Sequence, residues 1–350
     1  MISEKVTSEQ VRHYKKENPG KRERDIARML GITEAEYVAA WVGHGAVPIT
    51  TDFDRVFPLM EALGTVTALT RNESAVHEKI GIYDAYKTGK HAAMMLGSVI
   101  DMRMFPKHWA HGFAFEFDAG DVIKRSFQFF DRHGEAVHKI HLRADSNVDA
   151  WHSIVAELAI EGAGPDLAIA AIEPEVFEND GAVPMDELRS RWSAMTDTHQ
   201  FPGLLNKLKL SRRRAVSAIG ADYAWQVEPG SVQLMLERAA AEALPIMCFV
   251  GNRGCIQIHS GPVEKVATMG PWLNVMDRDF HLHLRQDHIA DIWVVRKPVD
   301  NGHVTSVEAF DEHGGLVIQF FGKRIEGQDE RAIWREIAEG LPKYNAVRAA

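Results

Sequence analysis

Two twelve-residue stretches of this chain share one pattern: Ser126–Val137 reads SFQFFDRHGEAV, and Ser306–Val317 reads SVEAFDEHGGLV. The second stretch begins 180 residues after the first, and Ser, Phe, Asp, His, Gly and Val recur at that spacing. Each stretch predicts a strand, a short Asp-x-His-Gly turn and a return strand, because glycine can adopt the left-handed backbone of a tight hairpin loop. A repeated unit of about half the chain is too long for a solenoid and indicates two structural repeats.

The same order of elements follows from the patterns around each hairpin. Helical patterns come first, a run of hairpin-connected strands follows, and a helix closes each half. The predicted helices cover about 8–43, 53–63, 151–160, 186–221, 230–243 and 329–341. This order predicts an α+β fold of two tandem structural repeats, each a large antiparallel β-sheet with helices packed on it.

The boundary between the repeats is predicted from composition. Residues 161–186 are rich in proline, glycine and acidic side chains, which is typical of a linker. We therefore expect an N-terminal repeat over 1–165, a linker over 166–185 and a C-terminal repeat over 186–350.

Bulk composition restricts the class of protein. The 350 residues are 45% hydrophobic and 25% charged, with a formal net charge of −9, which argues against general nucleic-acid binding. No apolar run approaches the roughly 20 residues of a membrane span, and the polar N-terminus lacks a signal-peptide core. We expect a cytoplasmic protein in which Cys248 and Cys255, both in an apolar segment, are buried thiols rather than a disulfide or metal site.

Most of the 17 histidines fit ordinary sheet positions. His281 and His283 alternate in FHLHLR and so share one strand face, but no third metal ligand is predicted there. We expect half-exposed sheet histidines, and the same holds for the pairs His108/His111 and His138/His141.

His199 differs because of its neighbourhood, SAMTDTHQFPGLLNKLKLSRRRAV. Thr196 or Asp197 can cap a helix and Pro202 fits a first turn, which places the imidazole at a helix start beside apolar residues. The residue types leave two interpretations open, a metal ligand and a surface histidine near a cap. The three arginines 212–214 are interpreted as a solvated helix face.

Longer strings resemble one known family. MTDTHQFPGLL, VGNRGCIQIHSGPVEKVATMGPW, HLRQDHIADIWVVRKP and QFFGKR in the second half, and RNESAVHEKIG and IDMRMFPKHW in the first, resemble the cytoplasmic haem-utilisation proteins of the HemS/ChuS/PhuS/HmuS type. The resemblance extends over nearly the whole chain. It implies haem (iron protoporphyrin IX) as the bound group, in a cleft of the C-terminal half.

The resemblance also implies site residues. The proximal iron ligand falls on His199, and Arg103 is implied to be the distal residue that assists oxygen activation. Residues on the distal and propionate side and beside the pocket are implied to be Arg103, Lys297, Gln319, Phe320, Phe321 and Arg324. In some relatives a second site uses a histidine that matches His77. Phe320 and Phe321 are neighbours on one strand, so both can line one pocket only if the strand has a bulge or bend.

Two functions remain open from sequence. The first is an enzyme, a haem oxygenase-like oxidoreductase that degrades imported haem and releases iron with electrons from an external donor. The second is a non-enzymatic carrier that passes haem from an importer to a separate haem oxygenase. A homodimer is also open, and a haem-sensing DNA-binding regulator is the third and least favoured interpretation.

Overall fold

A computed structural model describes residues 6–89, 91–324 and 331–345. In both halves most helices precede a run of strands and one helix closes the half, as the sequence patterns predict. The first half contains α1 (Ser8–Glu17), α2 (Glu23–Leu30), α3 (Glu34–Ala39), β1 (Ala46–Ile49), α4 (Phe53–Met60), β2 (Val66–Arg71), β3 (Ala75–Gly81), β4 (Tyr86–Lys87), β5 (Ala93–Leu96), β6 (Asp101–Met104), β7 (His111–Asp118), β8 (Ile123–Phe130), β9 (Ala136–Leu142) and α5 (Val148–Leu158).

The second half follows the same order. It contains α6 (Met185–Ser193), α7 (Gln200–Leu208), α8 (Arg212–Ala218), β10 (Ala224–Val227), α9 (Ser231–Ala241), β11 (Ile246–Gly251), β12 (Cys255–Gly261), β13 (Val266–Met269), β14 (Trp272–Met276), β15 (Phe280–Arg285), β16 (Asp291–Val299), β17 (Gly302–Phe310), β18 (Leu316–Gly322) and α10 (Ala332–Glu339). The predicted closing helix began at Asp329, which lies outside the described residues together with Glu330.

The chain forms two compact units. Unit 1 comprises the residues up to Arg71, then Glu78–Glu173 and Gly251–Gln257. Unit 2 comprises Asn72–His77, Pro174–Val250 and the residues from Ile258 onward. Each unit therefore includes a short segment from the opposite half of the sequence, which the division by composition did not anticipate. The predicted linker boundaries stay a prediction.

Each unit has one five-strand antiparallel arrangement of the same order. In unit 1 the order is β1-β7-β8-β9-β2, and in unit 2 it is β10-β16-β17-β18-β11. The α+β fold of two tandem structural repeats is confirmed.

The hairpins Ser126–Val137 and Ser306–Val317 have the same turn. Asp131 Oδ1 accepts hydrogen bonds from the backbone N–H groups of His133 (2.8 Å) and Glu135 (3.0 Å). Asp311 Oδ1 accepts from His313 (2.9 Å) and Gly315 (2.8 Å) in the same way. The glycines 134 and 314 have φ of 77° and 84°, the left-handed region that favours glycine.

Helices of the two units also begin and end alike. Thr33 caps α3 in a capping box with Glu36, as predicted, and Ser211 caps α8. Shortly before each cap, one residue has a left-handed backbone conformation: Gly31 (φ 67°) at the end of α2, and Lys209 (φ 51°) at the end of α7. These two positions precede their caps by the same two residues, so the helix pair α2–α3 corresponds to α7–α8.

Aromatic side chains fill the cores. Phe57, Phe127 and Phe129 are buried in unit 1, and Phe320 and Trp334 in unit 2. Burying each such side chain stabilises the fold by about 1.5–3 kcal/mol before entropy is counted. Within the described part of the chain, no helix combines the length and apolar character of a membrane span.

Both cysteines are free and buried, as predicted. Burial raises the pKa of the Cys255 thiol to about 12 and that of Cys248 further still, so both thiols are neutral and unreactive at physiological pH.

Candidate functional site

His199 lies at the N-terminal end of α7, where its side chain is 91% exposed. Its Nδ1 lies 2.7 Å from Asp197 Oδ1, which also accepts the backbone N–H of His199 at 2.8 Å. A carboxylate can only accept, so Nδ1 carries the proton and the outward Nε2 has its lone pair available. Asp197 therefore orients the imidazole, although the capping residue itself is His199 rather than the predicted Thr196 or Asp197.

The carboxylate beside His199 is held ionised. The backbone N–H and the ring of His199 lower the pKa of Asp197, and the positive charge of Arg324 acts in the same direction. Arg324 is exposed just after β18. The structure thus brings Arg324 into electrostatic range of the carboxylate that orients His199.

Phe201 connects α7 to the sheet below it. Its ring is buried and lies 4.9 Å from the ring of Trp192. The Arg212 guanidinium and the Lys297 ammonium lie 5.0 and 5.1 Å from its centroid, within cation–π range. Packing of one aromatic ring on two cations fixes α7, and with it His199, against α8 and β16.

Lys297 is buried in an ionic cluster rather than presented to solvent. Its Nζ donates to Ser306 Oγ (3.0 Å) and to Glu308 Oε1 (2.5 Å). Arg212 donates to both carboxylate oxygens of Glu308, at 2.7 and 2.9 Å, and to Gln319 Oε1 at 2.9 Å. Two cations and one carboxylate leave this cluster with a net charge of +1.

Burial decides how the cluster titrates. It lowers the pKa of Lys297 to about 8, with Arg212 adding to the effect and Glu308 opposing it. Arg212 and Lys297 together hold the pKa of Glu308 below its usual range despite burial. Glu308 is therefore ionised at neutral pH and anchors both cations.

Arg214 is exposed, as predicted, but Arg212 and Arg213 are not part of a solvated face. Arg212 is 22% exposed and bound to Glu308, and Arg213 pairs with Asp291, which is 7% exposed. The prediction was wrong for Arg212 and Arg213 because it considered only the local cluster of like charges, while their buried acidic partners lie 96 and 78 residues away along the chain.

Phe320 and Phe321 point to opposite faces of β18. Phe320 is fully buried in the core of unit 2, whereas Phe321 faces the cluster, with its ring 5.1 Å from Phe249 and 5.8 Å from Lys297 Nζ. The register shift of this hairpin lies at Ala309/Phe310, upstream of both rings. The expectation that both phenylalanines line one pocket is therefore not met, and Phe249 takes the second place beside Phe321.

Arg103 and His77 lie on other strands than the residues of this cluster, on β6 and β3. Arg103 lies on β6 of unit 1, 34% exposed, and donates to the side chain of Asp101 and to the Met102 carbonyl oxygen at 3.1 Å. His77 belongs to unit 2, is fully buried, and its ring centroid lies 5.0 Å from that of Phe280. The roles given to both residues stay predictions.

His138 departs from the expected half-exposed state. It is buried in unit 1, where Nδ1 lies 2.8 Å from Thr70 Oγ1 and Nε2 lies 2.6 Å from the Tyr83 hydroxyl. Burial lowers its pKa to about 3. His281 and His283 are half-buried, as predicted, and no group of three or more potential metal ligands occurs among the described residues.

A surface depression of about 330 Å³ lies along α6 and α7. It is lined by Arg191, Ala194, Met195, Gln200, Gly203, Leu204 and Lys207. None of the predicted site residues lines it, so we place the candidate site at His199 and the Lys297–Glu308–Arg212 cluster instead.

Sequence reasoning missed four contributors to this site: Asp197 as the orienting group, Arg212, Glu308 and Phe249. Asp197 could have been found two residues before the histidine. The others are separated from it in sequence, and only the sheet register brings them together.

A family model described as the haemin-degrading HemS.ChuX domain matches residues 31–158 and 209–341. The chain belongs to this family. The two matched segments agree with the two structural repeats, and the HemS/ChuX assignment confirms the resemblance seen in the sequence.

Named relatives extend the HemS/ChuX assignment to nearly the full length. The hemin transport protein HmuS of Yersinia pestis is 39% identical over 327 residues, which cover 92% of this chain and 93% of the relative. The hemin transport protein HemS of Yersinia enterocolitica is 39% identical over 333 residues, covering 94% and 95%.

Solved structures agree. Holo-PhuS, a heme-binding protein from Pseudomonas aeruginosa, has a TM-score of 0.93 at 38% identity and covers 96% of this chain and 98% of its own. ChuS, described as an E. coli heme oxygenase, has a TM-score of 0.85 at 34% identity, covering 94% and 99%.

Proposed function

We propose that this chain binds haem in unit 2 with His199 as the axial ligand, and that it degrades the haem to release iron. One observation carries the proposal: an exposed imidazole whose Nδ1 is held by Asp197 and whose Nε2 is free to bind a metal. Carboxylate–histidine pairs of this kind orient metal-ligating imidazoles. The heme-binding relatives supply the identity of the metal group.

The residues around His199 fit haem as the bound substrate. Its two propionates need cations, and its macrocycle needs an apolar contact. Arg324 and the net positive Lys297–Glu308–Arg212 cluster provide the charge, and the exposed part of Phe321 with Phe249 provides the aromatic surface. Gln319 holds Arg212 and so acts through it.

The ligand is tested by titrating the apo protein with ferric haem. We expect His199→Ala to alter the absorption spectrum of the bound haem and to weaken binding strongly. His313→Ala is the matched control, because His313 is also exposed (86%) beside a carboxylate, Glu312, at 3.6 Å. An unchanged spectrum and affinity in His199→Ala would remove His199 from the site.

Degradation is tested at Arg103. Ring opening consumes dioxygen and electrons, which an external reductant must supply. A donor aimed at developing negative charge is worth about 10²–10³ in rate, whereas a solvent-facing ion pair adds only about 0–1 kcal/mol to binding. We expect Arg103→Ala to lower the ring-opening rate far more than haem affinity.

The measurement is single-turnover ring opening with a chemical reductant, catalase to remove free peroxide, and product identification. Arg125→Ala is the control, since Arg125 also lies on a unit 1 strand and pairs with a carboxylate, Glu116, at 2.7 Å. Equal loss of affinity and rate in Arg103→Ala would make Arg103 a binding residue.

The second candidate function is a carrier that hands haem from an importer to an oxygenase. The relatives named hemin transport proteins favour it. It prevails if the wild-type protein shows no ring opening under these conditions yet transfers haem rapidly to an added haem oxygenase.

A further inference from the structure

Unit 1 carries a cluster of positive charge away from the proposed haem ligand. The side chains of Arg132 and Arg253 both reach His133, with Arg132 Nε and Arg253 Nη1 each 3.2 Å from His133 Nε2. The other ring nitrogen of His133 donates to the Ala170 carbonyl oxygen at 2.9 Å. One buried imidazole therefore holds two guanidinium groups together.

The cluster is rigidly built. Asn252 Nδ2 donates to the carbonyl oxygens of Arg71 and Val137, both at 2.9 Å, which fixes the turn before Arg253. After it, the Gly254 carbonyl oxygen accepts from Trp109 Nε1 at 2.8 Å. A Cβ at Gly254 would lie 2.6 Å from the Val137 side chain, so the turn can approach this closely only with glycine.

Two further basic groups lie beside the guanidiniums. Lys107 and His108 lie in the short helical turn between Phe105 and Trp109. The Phe105 N–H (2.9 Å) and Trp109 Nε1 (2.8 Å) both donate to the carbonyl oxygen of Gly254, the residue after Arg253. Burial lowers the pKa of His108, and the charges of Lys107, Arg253 and Arg132 act in the same direction. Asp131 opposes this effect, but its Oδ1 accepts two backbone N–H groups within its own turn. No carboxylate in the described ranges forms an ion pair with Lys107, Arg132 or Arg253.

The repeat in unit 2 provides an internal comparison. The positions 180 residues away from Lys107, Arg132 and Arg253 are occupied by Asp287, Glu312 and Glu73. Asn72 makes the same turn contacts beside Glu73 that Asn252 makes beside Arg253. The fold therefore accepts acidic residues at these positions, and the three basic residues of unit 1 are not needed to form the turns in which they lie.

We propose that Arg132, Arg253, Lys107 and His108 form a binding site for a phosphate-class oxyanion on unit 1. Guanidinium groups present planar pairs of N–H donors that match phosphate oxygens. With one N–H of each arginine on His133, the remaining donors of both groups are available to one multiply charged anion. The site does not depend on the proposed haem function.

The test is isothermal titration of the apo protein at constant ionic strength, with inorganic phosphate, pyrophosphate and glycerol phosphate as probes and acetate for comparison. We expect saturable one-to-one binding of pyrophosphate, weakened at least tenfold by Arg132→Glu or Arg253→Glu. Tight glycerol phosphate binding would identify a phosphate ester as the source, and preference for the inorganic ions would identify free phosphate.

Arg278→Glu is the control, because Arg278 is an exposed residue of unit 2 and the change in net charge is the same. Arg132→Gln and Arg253→Gln, which remove only the positive charge, cover the case in which a glutamate variant fails to fold. Absence of saturable binding to wild type, equal loss in Arg278→Glu, or acetate binding as tight as phosphate would each overturn the proposal.

Discussion

At the scale of single residues, the carboxylate of Asp197 decides how His199 is presented. It fixes both the backbone N–H and the ring nitrogen of the same residue. A histidine with 91% of its side chain exposed would otherwise sample several rotamers. Asp197 would therefore reduce the entropy lost on binding of the proposed haem iron.

We expect Asp197→Asn to weaken haem binding by about 10–100-fold, the usual effect of removing a group that orients a ligand, because an amide is a weaker acceptor for Nδ1–H. Haem titration with a full absorption spectrum measures it. Asp222→Asn, at an exposed carboxylate paired with Arg189, should change nothing. An affinity equal to wild type in Asp197→Asn would contradict the orienting role.

The buried His138 predicts a pH-dependent stability. Its pKa is about 3 in the folded protein and near 6.5 unfolded, so the unfolded state binds more protons between these values. The contribution is complete above about pH 6.5 and is lost as pH falls toward 3, at up to about 1.4 kcal/mol per pH unit.

Urea unfolding at pH 7 and pH 5 should therefore show a smaller loss of stability in His138→Gln than in wild type. His313→Gln, at an exposed histidine, should keep the wild-type difference. If both variants and the wild type lose the same free energy between the two pH values, His138 is not the responsible group.

At the scale of elements, the two hairpin turns have the same backbone but different neighbours. A Cβ at Gly134 would lie 2.4 Å from Thr33 Oγ1, the cap of α3, whereas a Cβ at Gly314 would lie 3.4 Å from Arg213 Cδ. Both positions have positive φ, which costs a non-glycine residue about 1–2 kcal/mol.

We expect Gly314→Ala to lower the free energy of unfolding by that amount and Gly134→Ala to lower it further, because alanine at 134 also displaces the Thr33 cap. Urea denaturation of both variants gives the comparison. Equal losses would show that the turn and α3 move apart at no cost.

The helix–sheet face of unit 1 that corresponds to the Lys297–Glu308–Arg212 cluster of unit 2 contains a different set of ionic residues. Glu34 on α3 pairs with Lys139 at 3.0 Å and with Arg71. Although burial opposes it, Lys139 and then Arg71 hold the pKa of Glu34 at about 2. The N-cap of α7 is His199, whereas the N-cap of α2 is Arg22, so the corresponding helix of unit 1 offers no imidazole at this place.

At the scale of the whole molecule, the division into two units predicts where proteases cut first. The segment Glu78–Glu173 of unit 1 is followed directly by the segment Pro174–Val250 of unit 2, within a stretch without helix or strand. We expect limited proteolysis to cut first within 161–186, where few backbone hydrogen bonds resist local opening.

Mass spectrometry of the early fragments identifies the site. Early cutting inside 100–145 instead would contradict the boundary. Since unit 2 includes Asn72–His77, whose Asn72 Nδ2 donates to the Val317 carbonyl oxygen at 2.8 Å, we expect the nicked fragments to elute together in gel filtration.

The sequence by itself determined the order of elements, the Asp-x-His-Gly turns, the Thr33 cap and the family, because each depends on residues a few positions apart. It also identified the stretch around His199. Positive φ at glycine, capping and strand alternation are local effects, and they produce a local signal in the sequence.

Only the tertiary structure decided which face of β18 Phe321 occupies, that Arg212 is buried on Glu308, that His138 is neutral, and that Arg253 belongs to unit 1. Burial and ion pairing depend on partners from other elements, and register and packing select those partners. The sequence of three consecutive arginines does not show whether their partners are water molecules or a buried carboxylate, so their role depends on the fold.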